Sequence, residues 1–255
     1  MALPSAIFPD LEDAGVLITG GASGIGAALV AGFAAQKAKV AFLDIDRSAG
    51  EALVAATTDT KHRPVFFHAD LTDLDATRSA VEAAGRALGG LRVLINNAAW
   101  DDRRDIDELT EEYWQKSQDT NLRPALFVTQ AALPFLRAGG GGSIINFSSI
   151  AYLLNMGEFP AYTTAKAGII GLTKSLAGRL GRENIRVNAV MPGMVLTERQ
   201  RKLWVSDTAA TAFLDRQALK FSLVAEDLVG PCLYLASDCA RAVSAQTMIV
   251  DGGCM

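Results

Sequence analysis

The chain has 255 residues, of which 50% are hydrophobic and 20% are charged, and its formal net charge is −4. This size allows one large α/β domain with a sizeable core, and the lack of a basic stripe argues against a nucleic-acid-binding protein. No apolar run reaches the roughly 18 residues that a membrane span needs, and the first ten residues lack the basic and apolar regions of a signal peptide. We therefore expect neither a membrane segment nor an export signal.

Cysteine and histidine are scarce in this chain. Cys232, Cys239 and Cys254 are odd in number and follow no metal-ligand spacing, which predicts free thiols in a reducing cytoplasm. His62 and His68 flank one strand-like run without a cluster of carboxylates or thiols beside them. We expect no metal site, and Ser-His-Asp chemistry is disfavoured.

Short β-rich apolar runs alternate along the chain with longer stretches of helical periodicity. The predicted strands are Gly15–Thr19, Lys39–Asp44, Val65–Ala69, Val93–Asn97, Ser143–Phe147, Arg186–Val190 and Met248–Val250. The predicted helices lie near Ile25–Gln36, Ser48–Thr58, Asp73–Leu88, Thr110–Arg137, Ala161–Leu180 and Ala225–Ala236. This alternation predicts an α/β fold with a mostly parallel sheet and helices on both faces. The interval Gly193–Phe221 fits the alternation least well and is predicted to form a binding loop.

A glycine-rich turn follows the first predicted strand and precedes the first predicted helix. Its residues, Thr19 to Gly26, follow a Gly-x-x-x-Gly-x-Gly spacing. Such a turn lets backbone amides approach a pyrophosphate, and the helix N-terminus adds a favourable dipole. The turn therefore predicts a dinucleotide site that includes Gly20, Ser23, Gly24, Ile25 and Gly26.

The second predicted strand ends at Asp44, 18 residues after Gly26. A carboxylate in this place accepts hydrogen bonds from the adenosine ribose hydroxyls. The 2′-phosphate of NADP would be repelled by the Asp44 carboxylate, by roughly 4 kcal/mol per charge pair at about 4 Å. Neither Ser23 nor Arg47, which follows Asp46, offsets that repulsion. We predict NAD rather than NADP as the cofactor.

Tyr162 and Lys166 are four residues apart in a segment of helical spacing, so their head groups share one face. A nearby ammonium favours the phenolate form of a tyrosine. A decrease of up to about three units would bring the pKa of the phenol from about 10 to about 7. The pair is therefore a candidate proton-transfer catalyst.

With these elements in one chain, the sequence resembles the short-chain dehydrogenase/reductase family almost from end to end. The family motifs occur in order as Thr19–Gly26, Asp70-Leu71, Asn96-Asn97-Ala98-Ala99, Asn121, Ser148-Ser149, Tyr162-x-x-x-Lys166, Pro192-Gly193 and Asp251-Gly252-Gly253. Only Ala99 departs from the pattern, since the family usually has glycine there. The resemblance implies a single-domain Rossmann fold over residues 1–255, with a doubly wound, seven-stranded parallel sheet.

The resemblance also implies roles for individual residues. Tyr162 is expected to be the general acid/base, Lys166 to lower its pKa and bind the nicotinamide ribose, and Ser149 to orient the substrate oxygen. Asn121 is expected to hold a water that relays protons to Lys166. The remaining cofactor contacts are expected from Asp70, Leu71, Asn97, Ala98, Pro192, Gly193, Val195 and Thr197.

Within the family, three segments resemble bacterial NAD-dependent aldose 1-dehydrogenases, namely Asn97–Arg103, Ile144–Ile150 and Leu196–Trp204. This resemblance implies oxidation of an aldose at C1 to the aldonolactone, with the sugar bound by Ser149, Tyr162 and further polar or aromatic residues. The expected further contacts are Trp100, Asp101, Asn155 and Gln200, while Trp204 stacks on the sugar or packs over the cofactor.

Three alternatives remain open at this stage, together with the assembly of the protein. Another NAD-dependent alcohol or polyol dehydrogenase, a 3-oxoacyl reductase and a non-catalytic NAD-binding regulatory protein are all compatible with parts of the pattern. The resemblance implies a homotetramer or homodimer that pairs through Thr110–Arg137, Ala161–Leu180 and Met248–Val250.

Overall fold

The computed structural model describes residues 3–203 and 207–255, and within them seven strands form one fully parallel sheet in the order β3-β2-β1-β4-β5-β6-β7. The strands are β1 Gly15–Thr19, β2 Lys39–Asp44, β3 Val65–His68, β4 Val93–Asn96, β5 Gly142–Phe147, β6 Ile185–Pro192 and β7 Thr247–Val250. The order reverses between β1 and β4, so the ends of these two strands open a crevice at the carboxyl edge of the sheet.

Helices cover both faces of this sheet. They are α1 Gly24–Ala35, α2 Arg47–Ala56, α3 Leu74–Leu88, α4 Glu111–Asn121, α5 Arg123–Ala138, α6 Pro160–Leu180, α7 Glu198–Leu203, α8 Asp207–Arg216 and α9 Val229–Ala236. Short 3-10 turns occupy Pro9–Leu11, Ile106–Glu108, Ile150–Leu153, Gly181–Glu183, Ala225–Leu228 and Asp238–Ala240. The doubly wound seven-stranded fold predicted from the sequence is confirmed.

Successive residues of the central strands serve two separate cores. On β1, Val16 and Ile18 pack with α1 and α9 on one face, whereas Leu17 packs with α3 and α5 on the other. All three side chains are fully buried. Because side chains alternate across a strand, a strand buried on both faces reads as a continuous apolar run. This is why the sequence located the strands to within one or two residues.

The predicted helix Thr110–Arg137 is wrong in one respect, because it is two helices. α4 ends at Asn121 and α5 begins at Arg123, and Leu122 between them departs from helical geometry, with φ −123° and ψ −54°. Pro124 lacks an N–H for the helical ladder and its ring crowds the preceding turn. The start of α4 is as predicted, since the Thr110 hydroxyl accepts the amide of Tyr113 at 3.2 Å.

The interval Gly193–Phe221 contains two short helices, α7 and α8, rather than an open loop. Its first part is fastened to the segment that precedes α9, because Val195 forms a parallel bridge with Leu223 and the Leu196 amide donates to the Leu223 carbonyl at 2.9 Å. This arrangement places α7 above the carboxyl edge of the sheet. The predicted position of Trp204 lies outside the described residues.

Candidate active site

The glycine turn between β1 and α1 has no room for larger residues. Gly20 and Gly24 have positive φ angles of 65° and 52°. A Cβ on Gly26 would lie 1.8 Å from the carbonyl oxygen of Gly20, and a Cβ on Gly20 would lie 2.7 Å from the Cα of Ala98. Ser23 is the N-cap of α1, yet its side chain makes no capping bond. The first amides of α1 therefore face the crevice without a side-chain acceptor, as an anion-binding turn requires.

Asp44 lies at the end of β2, beside this turn. Its two carboxylate oxygens accept the amides of Ala22 at 2.9 Å and Asp46 at 3.0 Å. A carboxylate has about four acceptor positions, so capacity remains for ribose hydroxyls. Asp70 and Leu71 follow β3 on the same edge; Asp70 Oδ1 accepts the amide and hydroxyl of Thr72, and Leu71 is buried.

Asn97 and Ala98 fasten the end of β4 to the glycine turn. The Asn97 side-chain amide donates to the carbonyls of Thr19 and Gly20, at 3.1 and 3.0 Å. The backbone amides of Asn97 and Ala98 both donate to the Thr19 hydroxyl. These bonds hold the two sides of the crevice at a fixed separation.

A cleft of about 220 Å³ opens beside this crevice. Its lining includes the predicted residues Ile25, Asn97, Asp101, Ser149, Tyr162, Lys166, Pro192, Gly193, Val195, Thr197 and Gln200. They come from five separate chain segments, which meet because the strands before them end at one edge of the sheet. The structure thus brings together Ser149, Tyr162 and Lys166 and several of the predicted cofactor contacts.

Tyr162 lies on the first turn of α6 and is hydrogen-bonded to Ser149. Burial raises the pKa of Tyr162 well above its ordinary value, the negative charge of Asp101 adds to the increase, and the Ser149 hydrogen bond opposes both. The phenol edge packs against the Phe159 ring, with 5.6 Å between ring centres. The expected decrease of the Tyr162 pKa is therefore wrong for the protein alone, because burial and the Asp101 charge together are larger than the effect of the Ser149 hydrogen bond.

Lys166 lies one helical turn further along and is 2% exposed. Its Nζ donates to the carbonyl oxygen of Phe147 at 3.0 Å and lies 5.5 Å from the centre of the Tyr162 ring. Burial lowers the pKa of Lys166 to about 8, and the charge of Asp101 opposes that decrease. The side chain is therefore largely an ammonium at neutral pH.

Asn121, at the end of α4, is turned toward the loop after β4. Its Oδ1 accepts the amide of Trp100 at 2.7 Å, and its Nδ2 donates to the carbonyl of the same residue at 2.9 Å. The Asn121 side chain thus positions this loop, and the water relay to Lys166 stays a prediction.

Two predicted sugar contacts lie away from the cleft. The Trp100 ring packs against Tyr113 with ring centres 5.2 Å apart and a tilt of 49°, and the Lys116 ammonium lies 4.3 Å from the centre of the Trp100 ring. Asn155 is an exposed turn residue with a positive φ of 52°, and its neighbours Leu154 and Met156 line the cleft in its place. Contact of these two residues with a sugar stays a prediction that the lining of the cleft does not support, because sequence proximity to the site does not fix the direction of a side chain.

The remaining predicted contacts, Asp101 and Gln200, do reach the cleft and bind each other. Gln200 Nε2 donates a short hydrogen bond to Asp101 Oδ2, and Arg199 Nε donates to Asp101 Oδ1 at 3.0 Å. These bonds connect the loop after β4 with α7. They place a carboxylate and a primary amide on the cleft wall.

The sequence did not indicate the apolar part of the wall. It is formed by Ile150, Ala151, Leu154, Met156, Phe159 and Phe213. Most of these residues follow Ser149 and precede α6, so the short interval between the Ser148-Ser149 and Tyr162-x-x-x-Lys166 motifs was an available signal. Phe213 comes from α8 and lies within the interval Gly193–Phe221 that was predicted to form a binding loop, although no pattern singles it out within that interval.

The part of the chain that the structure describes contains neither a candidate metal site nor a candidate membrane-spanning helix. Within residues 3–203 and 207–255, no group of three or more histidine, cysteine or acidic side chains is arranged to hold a metal ion. In the same ranges, every helix is too short or too polar to span a bilayer.

Known proteins resemble this chain over almost its whole length. A family model described as enoyl-(acyl carrier protein) reductase matches residues 20–255. The probable galactose dehydrogenase GalD of Rhizobium meliloti is 58% identical over 254 residues, with 99% of each chain covered. The D-xylose 1-dehydrogenase of Caulobacter vibrioides is 42% identical over 251 residues, covering 98% of this chain and 99% of the relative.

A solved structure shows the same architecture. The short-chain type dehydrogenase/reductase from Mycobacterium ulcerans superposes with a TM-score of 0.89 at 28% identity, covering 96% of this chain and 90% of the other. The glycine turn, the Ser149, Tyr162 and Lys166 triplet and these matches agree. The chain therefore belongs to the short-chain dehydrogenase/reductase family and is an oxidoreductase that acts on CH–OH groups.

Proposed function

We propose that this protein oxidises an aldose at C1 to the aldonolactone and uses NAD as the oxidant. The observation that carries the proposal is the Ser149, Tyr162 and Lys166 triplet that lines the cleft, in a chain 58% identical to a protein named as a galactose dehydrogenase. The second relative, named as a D-xylose 1-dehydrogenase, supports an aldose and C1 as the site of reaction. The overall step converts aldose and NAD⁺ into aldonolactone, NADH and one proton.

The residues of the crevice fit a dinucleotide. A pyrophosphate would lie in front of the uncapped amides of α1, beside a turn that Gly20 and Gly26 keep tight. Asp44 would accept the ribose hydroxyls and disfavour a 2′-phosphate by like-charge repulsion. Arg47 does not offset that repulsion, because its side chain is 63% exposed and lies 3.9 Å from Glu51. NAD is therefore the proposed form of the cofactor.

Proton transfer is assigned to Tyr162. The Tyr162 phenolate takes the proton of the anomeric hydroxyl, and Ser149 donates a hydrogen bond that orients the same oxygen. A bound oxidised nicotinamide would supply the hydride acceptor for C1 and a positive charge at the site. That charge and the Lys166 ammonium together favour the phenolate against the effect of burial. Asn121 and a water are proposed to carry the proton from Lys166 to solvent.

Substrate recognition is assigned to the polar and apolar walls of the cleft. Asp101 and Gln200 offer an acceptor and an amide to sugar hydroxyls, while Phe159 offers an apolar surface to one sugar face. A single inverted hydroxyl leaves one of these polar groups unpaired, which is the physical basis for choosing between aldoses.

The proposal is tested by following NADH absorbance with galactose, fucose, arabinose, xylose and glucose, with a polyol and a 3-hydroxyacyl ester as comparison substrates. We expect turnover with at least one aldose and loss of about 10² to 10⁴ in kcat for Tyr162→Phe. A clear signal from the polyol or the ester with none from any aldose would assign one of the other dehydrogenase reactions. Full activity of Tyr162→Phe would instead support a protein in which this site has no catalytic role.

We also propose that the protein works in the cytoplasm as a closed homotetramer or homodimer. Large apolar side chains are exposed on the helices and strand expected to pair: Trp114 on α4, Leu126 on α5 and Ile249 on β7. Burial of such residues against a second copy removes apolar area from water. Light scattering after size-exclusion chromatography tests this, since a particle of 27.0 kDa would contradict it.

A further inference from the structure

Asp101 connects two walls of the cleft that are 98 residues apart in sequence. One carboxylate oxygen accepts from Nε of Arg199 at 3.0 Å, and the other accepts the side-chain amide of Gln200. The Asp101 side chain is 22% exposed, whereas that of Arg199 is 54% exposed. Both partners lie on α7, so one side chain fastens two successive residues of this helix.

The Asp101 side of this contact is attached to α4 through the preceding residue. The preceding residue, Trp100, is held at its backbone amide and carbonyl by the Asn121 side chain. Its ring is packed against Tyr113 and covered by the Lys116 ammonium. Asp101 therefore lies in the loop after β4, directly after a residue that is bonded to α4.

The α7 side is attached at its base. Val195 and Leu196 are bonded to Leu223, and the Thr197 hydroxyl accepts the amide of Gln200. Beyond Thr197, the bonds to Asp101 bring α7 across to the opposite wall. Thr197 also lines the cleft, so the position of α7 and the shape of the cleft are connected.

We propose that Asp101 is a positioning residue that fastens α7 across the mouth of the cleft and so helps to retain the bound dinucleotide. The identity of the bound ligand rests on the proposed function. The contact between Asp101 and α7 does not depend on it. Because Arg199 is more than half exposed, the contact is a weak one of the kind that opens and closes readily. A fastening of this strength retains a ligand without preventing its release.

Hydrogen–deuterium exchange of the protein without cofactor or sugar tests the contact. In Asp101→Asn and in Arg199→Gln, amides of residues 194–203 should exchange about fivefold faster than in the parent, the ratio that about 1 kcal/mol gives. Asp102→Asn is the matched control, because it removes the same charge from the next residue in the chain. The Asp102 side chain bonds Tyr113 rather than α7. Exchange in α9 reports whether each variant remains folded.

The outcomes separate the proposal from its alternatives. Unchanged exchange in Asp101→Asn, or equal acceleration in Asp102→Asn, would overturn it. The double variant should exchange no faster than the faster single variant, because both changes break one contact. If the acceleration in the double variant equalled the product of the two single accelerations, the two residues would act separately. That result would also contradict the proposal.

NADH affinity, measured by fluorescence titration, tests the consequence. The dissociation constant should rise about fivefold in Asp101→Asn and Arg199→Gln and stay at the parent value in Asp102→Asn. Equal affinity in all four proteins would overturn the role in retention. Absence of NADH binding by the parent would instead contradict the proposed function, while the exchange experiment would still decide whether the contact exists.

Discussion

Lys166 Nζ lies 5.5 Å from the centre of the Tyr162 ring and donates its hydrogen bond to the Phe147 carbonyl. Burial acts on the pKa of the two groups in opposite directions, raising that of the phenol and lowering that of the ammonium to about 8. In the protein alone the lysine therefore loses its proton before the tyrosine does. A catalytic phenolate needs a further positive charge, and the proposed oxidised nicotinamide is the group that supplies it.

Ser149→Ala should reduce kcat/KM about a hundredfold, because it removes the donor that orients the substrate oxygen. It also removes the hydrogen bond that lowers the pKa of Tyr162. Oxidation requires the phenolate and so increases with pH; with that bond absent, the increase should occur at higher pH than in the parent. The pH dependence of initial rates at saturating substrate measures this.

Ser148→Ala is the control for this substitution. The Ser148 hydroxyl donates to the Lys166 carbonyl at 2.7 Å inside the protein, so its loss should cost about 1 kcal/mol of stability. The pH at which the rate increases should be the same in Ser148→Ala as in the parent. A displacement of the profile by Ser148→Ala and not by Ser149→Ala would exchange the roles given to the two serines.

Asp101→Asn should displace the same pH profile in the opposite direction. The Asp101 charge raises the pKa of both Tyr162 and Lys166, so its removal lowers both. The phenolate then forms at lower pH, and kcat at saturating substrate should begin its increase at lower pH than in the parent. Asp102→Asn keeps the charge of Asp101 and should leave the profile unchanged. A displacement toward higher pH in Asp101→Asn would contradict this electrostatic role.

Strands and motifs could be predicted from the sequence, because each depends on neighbouring residues. Leu17, Leu94 and Ile145 belong to apolar runs because their strands are buried on both faces. The glycine turn is readable because positive φ and close backbone contact leave few alternatives to glycine. The alternation of strand and helix then determines which edge of the sheet holds the site.

Side-chain directions in loops could not be predicted in this way. Trp100 and Asp101 are adjacent in sequence, yet the first packs on α4 and the second enters the cleft. The deciding contact is the pair of bonds from Asn121, which is 21 residues away. Only the packed structure reveals such a contact, and it places one of the two side chains in the cleft wall and the other outside it.

Gly26→Ala should disrupt the glycine turn. The new Cβ would lie 1.8 Å from the Gly20 carbonyl oxygen and 2.9 Å from Asn97 Nδ2, so the backbone itself must move. We expect a loss of about 1–3 kcal/mol in the free energy of unfolding, the usual cost of overpacking, and NADH affinity reduced by at least about tenfold. Denaturant unfolding and fluorescence titration measure the two effects.

Gly178→Ala is the matched control for the glycine turn. Gly178 lies within α6 and has no atom within 4 Å of an added Cβ outside its own helix. Alanine there should raise stability by about 0.5–1 kcal/mol and leave NADH affinity unchanged. If Gly26→Ala were as stable as Gly178→Ala and bound NADH as tightly as the parent, the assignment of the turn as the pyrophosphate site would fail.

Asp44→Ser should weaken the choice of NAD over NADP. In the parent, repulsion between Asp44 and a 2′-phosphate of roughly 4 kcal/mol corresponds to about a thousandfold preference in kcat/KM. Serine removes the charge but keeps a hydroxyl for hydrogen bonding, so the preference should fall to about tenfold or less. Activity with NAD should fall as well, because the amides of Ala22 and Asp46 lose their acceptor.

Asp46→Ser separates this effect from a general change of charge at the end of β2. The Asp46 carboxylate accepts the Ala49 amide at 2.9 Å and caps α2, and serine is also a good capping residue. This variant should therefore keep both its stability and the parent's cofactor preference. Initial rates with each cofactor at a fixed sugar concentration give the preference for all three proteins. If the parent used NADP as well as NAD, Asp44 would not be the selecting residue, because its charge is present and would have had no effect.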